Sequence, residues 1–156
     1  MTHEPEAGRP HVPEYGIPET LEGVLPWSDA VERLERARNL WIVTVGPGPR
    51  PHARPVWGVW VDGAVYFGGG PQTRWARNLA AHPDVVVHLE SGDEVVILEG
   101  RVGRVDEPDD VVARVIDAYE AKYDFRHPAP FWELRPDVAF AWTDFPRDTT
   151  RWRFTR

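Results

Sequence analysis

Residues 50–83 read RPHARPVWGVWVDGAVYFGGGPQTRWARNLAAHP: a strand, a return strand, a glycine triplet, and a helix that opens on cations. That order leaves few ways to fold, because strand must pass to helix through a turn that glycine makes most freely. Side chains alternate along 53–61, so Arg54 shares a face with Val56, Gly58 and Trp60, while Trp57 and Val59 face the other way. A glycine on the Arg54 face leaves room for a flat ring against the strand. Thr73 is placed to cap the helix, and Arg74 and Arg77 stand where unpaired backbone N–H groups already favour an anion. The glycines also let the backbone approach such a ligand closely. From Arg50 to Arg77 there are four arginines against one acid, Asp62, so this window carries +3 in a chain whose total is −7. An arginine on a phosphate makes charge-assisted hydrogen bonds of about 1.5–3 kcal/mol each, so two or three can hold a phosphorylated cofactor without a deep pocket.

The net charge argues against non-specific nucleic-acid binding, which needs a broad basic face. The expected partner is therefore a small molecule. No apolar run is long enough to span a bilayer, so no membrane role is expected. The chain has no cysteine and no leader-like start, which argues against secretion on a disulfide framework and makes the cytoplasm the expected location. Lys122 is the only lysine among 18 cationic residues, so Schiff-base chemistry has a single candidate. The arginine surplus suits phosphate or carboxylate binding, although coding bias of the source genome accounts for most of it. Of the eight tryptophans, one or two are expected to line a ligand pocket and the rest to fill core.

Other chemistries find little support. His3, His11, His52, His82, His88 and His127 show no metal-binding spacing, and without cysteine no metal site is expected. There is no nucleophile elbow, P-loop or dinucleotide fingerprint. His52, beside the Arg-rich strand, is a candidate to polarise a ligand, with a surface histidine after a turn as the commoner arrangement. His88, inside an apolar strand, reads as a satisfied interior residue. The acidic run 106–110 is better explained by helix capping than by metal binding. The ending TTRWRFTR is either a basic aromatic strand reaching a ligand edge, through Trp152 or Arg153 of a second subunit, or an edge strand protected by charge.

Residues 1–26 hold five prolines and several acids, and describe an arm that stays extended or disordered until it lies on something. Residues 27–156 form one domain. A first helix follows Ser28 as N-cap, carries Val31, Leu34, Ala37 and Trp41 at helical spacing, and ends near Asn39. Strands are predicted over 40–45, 53–61 and 65–67, the last two joined by Asp62-Gly63, and a short helix over 74–81 is stopped by Pro83. A hairpin of 85–89 and 94–105 turns at 91–93. Pro108 suits the first turn of a helix whose stripe of Val112, Val115, Ile116, Tyr119 and Tyr123 reads as core. After a proline-broken loop from His127, strands are predicted over 138–143 and 150–154. Six or seven strands with short helices point to an antiparallel barrel with helices packed outside it, mainly β with α, in the α+β class.

LWIVTVGPGPRPHARPVWGVWVDGAVYF, QTRWARNLAAHPDVVVHLES and VVILEGRVGRV, with the ending AFAWTDFPRDTTRWRF and the early HVPEYGIP, resemble the pyridoxamine 5′-phosphate oxidase-like family. These are flavin-binding split-barrel proteins that include the flavin/deazaflavin-dependent oxidoreductases. The resemblance covers about 27–154. It implies a six-stranded split barrel and a homodimer with two cofactor sites at the interface, holding FMN or the deazaflavin F420. It implies Arg54, Thr73, Arg74 and Arg77 at the cofactor phosphate, and the strand with Pro55, Val56, Trp57 and Gly58 along the ring system. Many relatives carry lysine where this chain has Trp75, so one phosphate contact is missing. The implied activity is hydride transfer between the cofactor and a small organic substrate, without a catalytic triad. The alternative is a non-catalytic protein that binds or sequesters a flavin, F420 or haem.

Overall fold

The structure, a computed structural model, describes residues 4–106 and 109–155. Expectations that fall on His3, Glu107 and Pro108 lie outside the described residues. Twelve elements follow in chain order: β1 (Glu6–Gly8), α1 (Trp27–Arg36), β2 (Leu40–Gly46), β3 (Arg50–Val56), β4 (Gly58–Val61), β5 (Ala64–Phe67), α2 (Arg74–Ala81), β6 (Asp84–His88), β7 (Val95–Val105), α3 (Asp110–Tyr123), β8 (Phe131–Trp142) and β9 (Thr150–Arg153).

All the strand pairings are antiparallel. The sequence predicted one strand over 53–61, and the chain instead bends at Trp57 to give β3 and β4. Counting that bent strand once, the ring runs β2, β3–β4, β5, β8, β7, β6 and back to β2, a six-stranded barrel. The split lies in β8, whose first half pairs with β5 (Leu134 with Val65) and whose second half pairs with β9 (Ala139 with Trp152).

Two cores result. Inside the barrel, α1 and α2 close over Leu40, Ile42, Val65, Phe67, Leu98 and Trp152. Under α3, Val112, Val115, Tyr119 and Tyr123 pack on Val59, Tyr66 and Phe131, as the helical stripe predicted.

The bend at Trp57 is fixed from α3. The Tyr119 hydroxyl donates to the Trp57 carbonyl at 2.9 Å, and the Tyr123 hydroxyl accepts from the Gly58 N–H at 3.0 Å and donates to the Arg38 carbonyl at 2.8 Å. Lys122 Nζ donates to the Gly58 carbonyl at 2.9 Å, and burial lowers its pKa to about 8. Tyr123→Phe keeps the ring but strands the Gly58 N–H and the Arg38 carbonyl. It should cost about 1–3 kcal/mol in urea unfolding, and unchanged stability would show that the bend does not depend on this hydroxyl.

Other differences from the sequence reading have local causes. Ser28 is not the cap of α1. Pro26 holds that position without a side-chain bond, because Trp27 is drawn into the helix and packs edge-on against Trp60, Trp152 and Phe154. The buried positions of α1 are Ala30, Arg33 and Leu34, and Trp41 belongs to β2. Strand β8 starts at Phe131, inside the expected loop, and tolerates Pro136 because the register against β7 shifts between Glu99 and Gly100. Strand β9 is not an edge: β1 covers its outer side. The arm that carries β1 is tied down by Arg9, whose guanidinium donates to the carbonyls of Thr20, Glu22, Arg147 and Thr149.

Candidate functional site

Helix α2 begins and ends where the sequence places it. The Thr73 hydroxyl accepts from the Ala76 N–H at 3.3 Å and donates to the Gly70 carbonyl at 2.9 Å, which fixes the glycine turn to the helix. The N–H groups of Arg74 and Trp75, in the first turn, have no intrahelical acceptor. Trp75, Ala76 and Leu79 enter the barrel core, while Arg74 and Arg77 stay exposed. Asn78 is buried and donates to Thr44 Oγ1 at 3.0 Å, anchoring α2 to β2. One face of α2 and the 47–49 turn then enclose an open groove of about 690 Å³ lined by Arg50, Arg74, Arg77, Asn78 and His82.

The charge in this corner is uncompensated. Among the described residues, none of Arg50, Arg54, Arg74 and Arg77 forms an ion pair. Arg54, exposed on β3, donates to the Ala53 carbonyl at 2.8 Å.

His52 lies on β3 between Arg50 and Arg54 in sequence. It is not the surface histidine expected after a turn: it is 7% exposed, and neither ring nitrogen has a hydrogen-bond partner among the described residues. Burial first, then the charges of Arg54 and Arg74, push its pKa below the ordinary 6.5. Below that ordinary value an unfolded chain takes up a proton that the native imidazole resists, so stability falls as pH drops through about 6.5 and is retained above it. Thermal melts of the ligand-free protein between pH 8 and pH 5 should show this decline, and His52→Gln should flatten it. A variant that declines as steeply as the parent would assign the effect elsewhere.

Several expected site residues sit differently. The space over Gly58 is taken: a Cβ there would stand 2.7 Å from Leu40 Cδ1 and 3.1 Å from the Tyr66 carbonyl oxygen. That glycine makes room for the bend, not for a ring. Gly68 and Gly69 are likewise filled from within, by the His127 ring and by Trp75, while Gly70 faces open space. Trp75 is 7% exposed against Phe67, so the side chain read as a missing phosphate contact points inward. Trp152 is core, 1% exposed and 5.0 Å from the Trp27 ring, out of reach of any ligand at the surface. Arg153 is exposed on β9. Pro55 is exposed, Val56 is partly buried, and Trp57 is 40% exposed, stacked on Tyr123 at 4.4 Å with Arg38 5.2 Å from its ring.

His88 lies on the outer face of β6, its ring parallel to Trp41 and Nδ1 2.7 Å from the Leu89 carbonyl oxygen. Asp109 caps α3 by accepting from the Val112 N–H at 2.8 Å, the capping role read from the acidic run. Sequence reasoning missed Asn78 and the burial of His52, since both depend on where α2 lands.

The model of the family described as pyridoxamine 5′-phosphate oxidase matches residues 28–146. The chain belongs to that family. Solved structures with the same fold include a conserved hypothetical protein of Mycobacterium tuberculosis, 21% identical with a TM-score of 0.63, covering 74% of this chain and 83% of that one. An F420 reductase is 22% identical with a TM-score of 0.56, over 69% of this chain and 93% of its own. A haem binding protein of Mycobacterium smegmatis is 20% identical with a TM-score of 0.59, over 77% and 57% respectively. At such identities the likeness is one of fold. No curated protein matches the chain in sequence. The family places this α+β split barrel among pyridoxamine 5′-phosphate oxidase-like proteins, and the cationic corner lies inside the matched span.

Proposed function

We propose that this member of the pyridoxamine 5′-phosphate oxidase family is a flavin- or deazaflavin-dependent oxidoreductase. It transfers hydride between bound FMN or F420 and a small organic substrate. The observation that carries the reading is the set of arginines, Arg50, Arg54, Arg74 and Arg77, left without ion pairs among the described residues of an otherwise acidic chain. Four such cations at one corner repel one another, and a phosphoryl anion relieves that repulsion.

The residues present suit a phosphorylated ring cofactor. Arg54, Arg74 and Arg77 hold the phosphate by charge-assisted hydrogen bonds, with the open N–H groups of the first turn of α2 behind them. Thr73 holds the turn that aims those groups. Pro55, Val56 and the exposed edge of Trp57 offer an apolar strip along which a ring lies, and the bend at Gly58 ends that strip. When bound, the ring system supplies the hydride chemistry. The protein contributes orientation and exclusion of water.

The assembly belonging to this reading is a cytoplasmic homodimer. The faces of β2, β6 and β8 turned away from the core keep Trp41, Val43, Val86, Val138 and Phe140 only partly buried. A second copy seated there covers apolar surface that a monomer leaves wet.

Titration of the purified protein with FMN, F420 and haemin, followed by tryptophan fluorescence and absorption, tests the function. Quenching by FMN or F420, with turnover of a quinone or enone, is the expected result. Tight binding without turnover supports the sequestering alternative, and a Soret band with haemin alone overturns both cofactor assignments.

A further inference from the structure

A buried polar side chain without a partner among the described residues belongs to the same strand as Arg54. His52 sits on the same face of β3 as Arg54, two residues away, and opposite Thr44 in the register of β2. Thr44 Oγ1 accepts from Asn78 Nδ2 of α2, and it makes no hydrogen bond to either ring nitrogen of His52. The charged groups acting on the ring are Arg54 from its own strand and Arg74 from α2. Both arginines are exposed, so an anion from solvent can reach them.

We infer that His52 is a ligand-binding residue, its imidazole hydrogen-bonded to a phosphoryl oxygen held between Arg54 and Arg74. This rests on the reading that the corner takes a phosphorylated cofactor. Two observations converge on it. Both ring nitrogens are buried without partners among the described residues, an arrangement that costs free energy unless a ligand completes it. The charges of Arg54 and Arg74 act on the ring, so a proton on it is unwelcome until an anion arrives and reverses the local field. A ring N–H supplies a donor to that anion without adding a further permanent charge.

Binding then couples to protons in a definite sense. The anion offsets the repulsion from Arg54 and Arg74, so His52 protonates more readily with it than without. A phosphate monoester, whose second ionisation lies near pH 6, instead releases protons as arginines bind its dianion.

The test compares each phosphorylated cofactor with its phosphate-free ring system, FMN with riboflavin and F420 with its deazariboflavin core, on wild-type protein and His52→Gln. His52→Gln should weaken binding of the phosphorylated form about tenfold or more and leave the phosphate-free form unchanged. Calorimetry with FMN at pH 6.5 in two buffers of different ionisation enthalpy should show proton release in the variant, from the phosphate alone, and a balance shifted toward uptake in the wild type by the share that His52 takes up. Should the variant fold poorly, the ring resonances of His52 in the wild type should shift on adding inorganic phosphate. If the wild type prefers a phosphorylated cofactor and His52→Gln preserves that preference, or if phosphate leaves the resonances unmoved, the inference is overturned while the proposed function stands. If the wild type shows no preference for the phosphorylated forms, the phosphate site itself is overturned and the role of His52 goes with it.

Discussion

Replacing Arg54 and Arg74 together with alanine should weaken FMN or F420 binding about a hundredfold or more, while leaving the melting curve of the ligand-free protein nearly unchanged. Each guanidinium contributes a charge-assisted bond of about 1.5–3 kcal/mol to the phosphate, so two lost bonds multiply to at least that factor. Stability should hold because the two side chains are exposed and form no ion pair with any described residue. Their removal also lifts like-charge repulsion around His52, which works in the stabilising direction. Fluorescence titration and a thermal melt on the same preparation check both halves. A double variant that unfolds would assign these arginines to the scaffold.

Trp152→Ala should have the opposite signature, a loss of about 3–5 kcal/mol of stability with little change in cofactor affinity of the molecules that remain folded. Trp152 pairs with Ala139 of β8 and Ala7 of β1 and lies against Trp27, which itself reaches Trp60 and Phe154. Truncation opens a cavity where α1, the arm and the second half of β8 meet, and β1 is too short to collapse into it. Urea unfolding measures the loss. If the variant kept full stability and lost the cofactor, the role across a subunit interface that its basic, aromatic neighbourhood suggested would be restored.

The parts of the fold that were legible in the sequence are those decided within a few residues. Helix α2 runs from Arg74 to Ala81 as predicted because Thr73 caps it and Pro83 stops it, and both act locally. The Asp62-Gly63 hairpin is legible for the same reason, with φ of 50° and 80° at the two turn residues. The break at Trp57 was not legible: hydroxyls of Tyr119 and Tyr123, more than sixty positions away, decide it. The passage of β8 through Pro136 depends on a register shift opposite Gly100, a property of the pair of strands and not of either one.

The site divides in the same way. The cations were legible because charge is a property of residue type, and Arg74 and Arg77 follow from the helix phase. The fate of the glycines was not, since Gly58, Gly68 and Gly69 are filled by Leu40, His127 and Trp75, which arrive from other elements. The burial of His52 is likewise a tertiary fact, which its place after a turn does not reveal.

A crystal structure of the protein grown with FMN or F420 tests the central claim most directly. The account predicts phosphoryl oxygens within hydrogen-bonding distance of Arg54 and Arg74 at the start of α2, with the ring system along Pro55, Val56 and Trp57. Density for the cofactor at another surface, or a bound cofactor whose phosphate points to solvent away from these arginines, would contradict it.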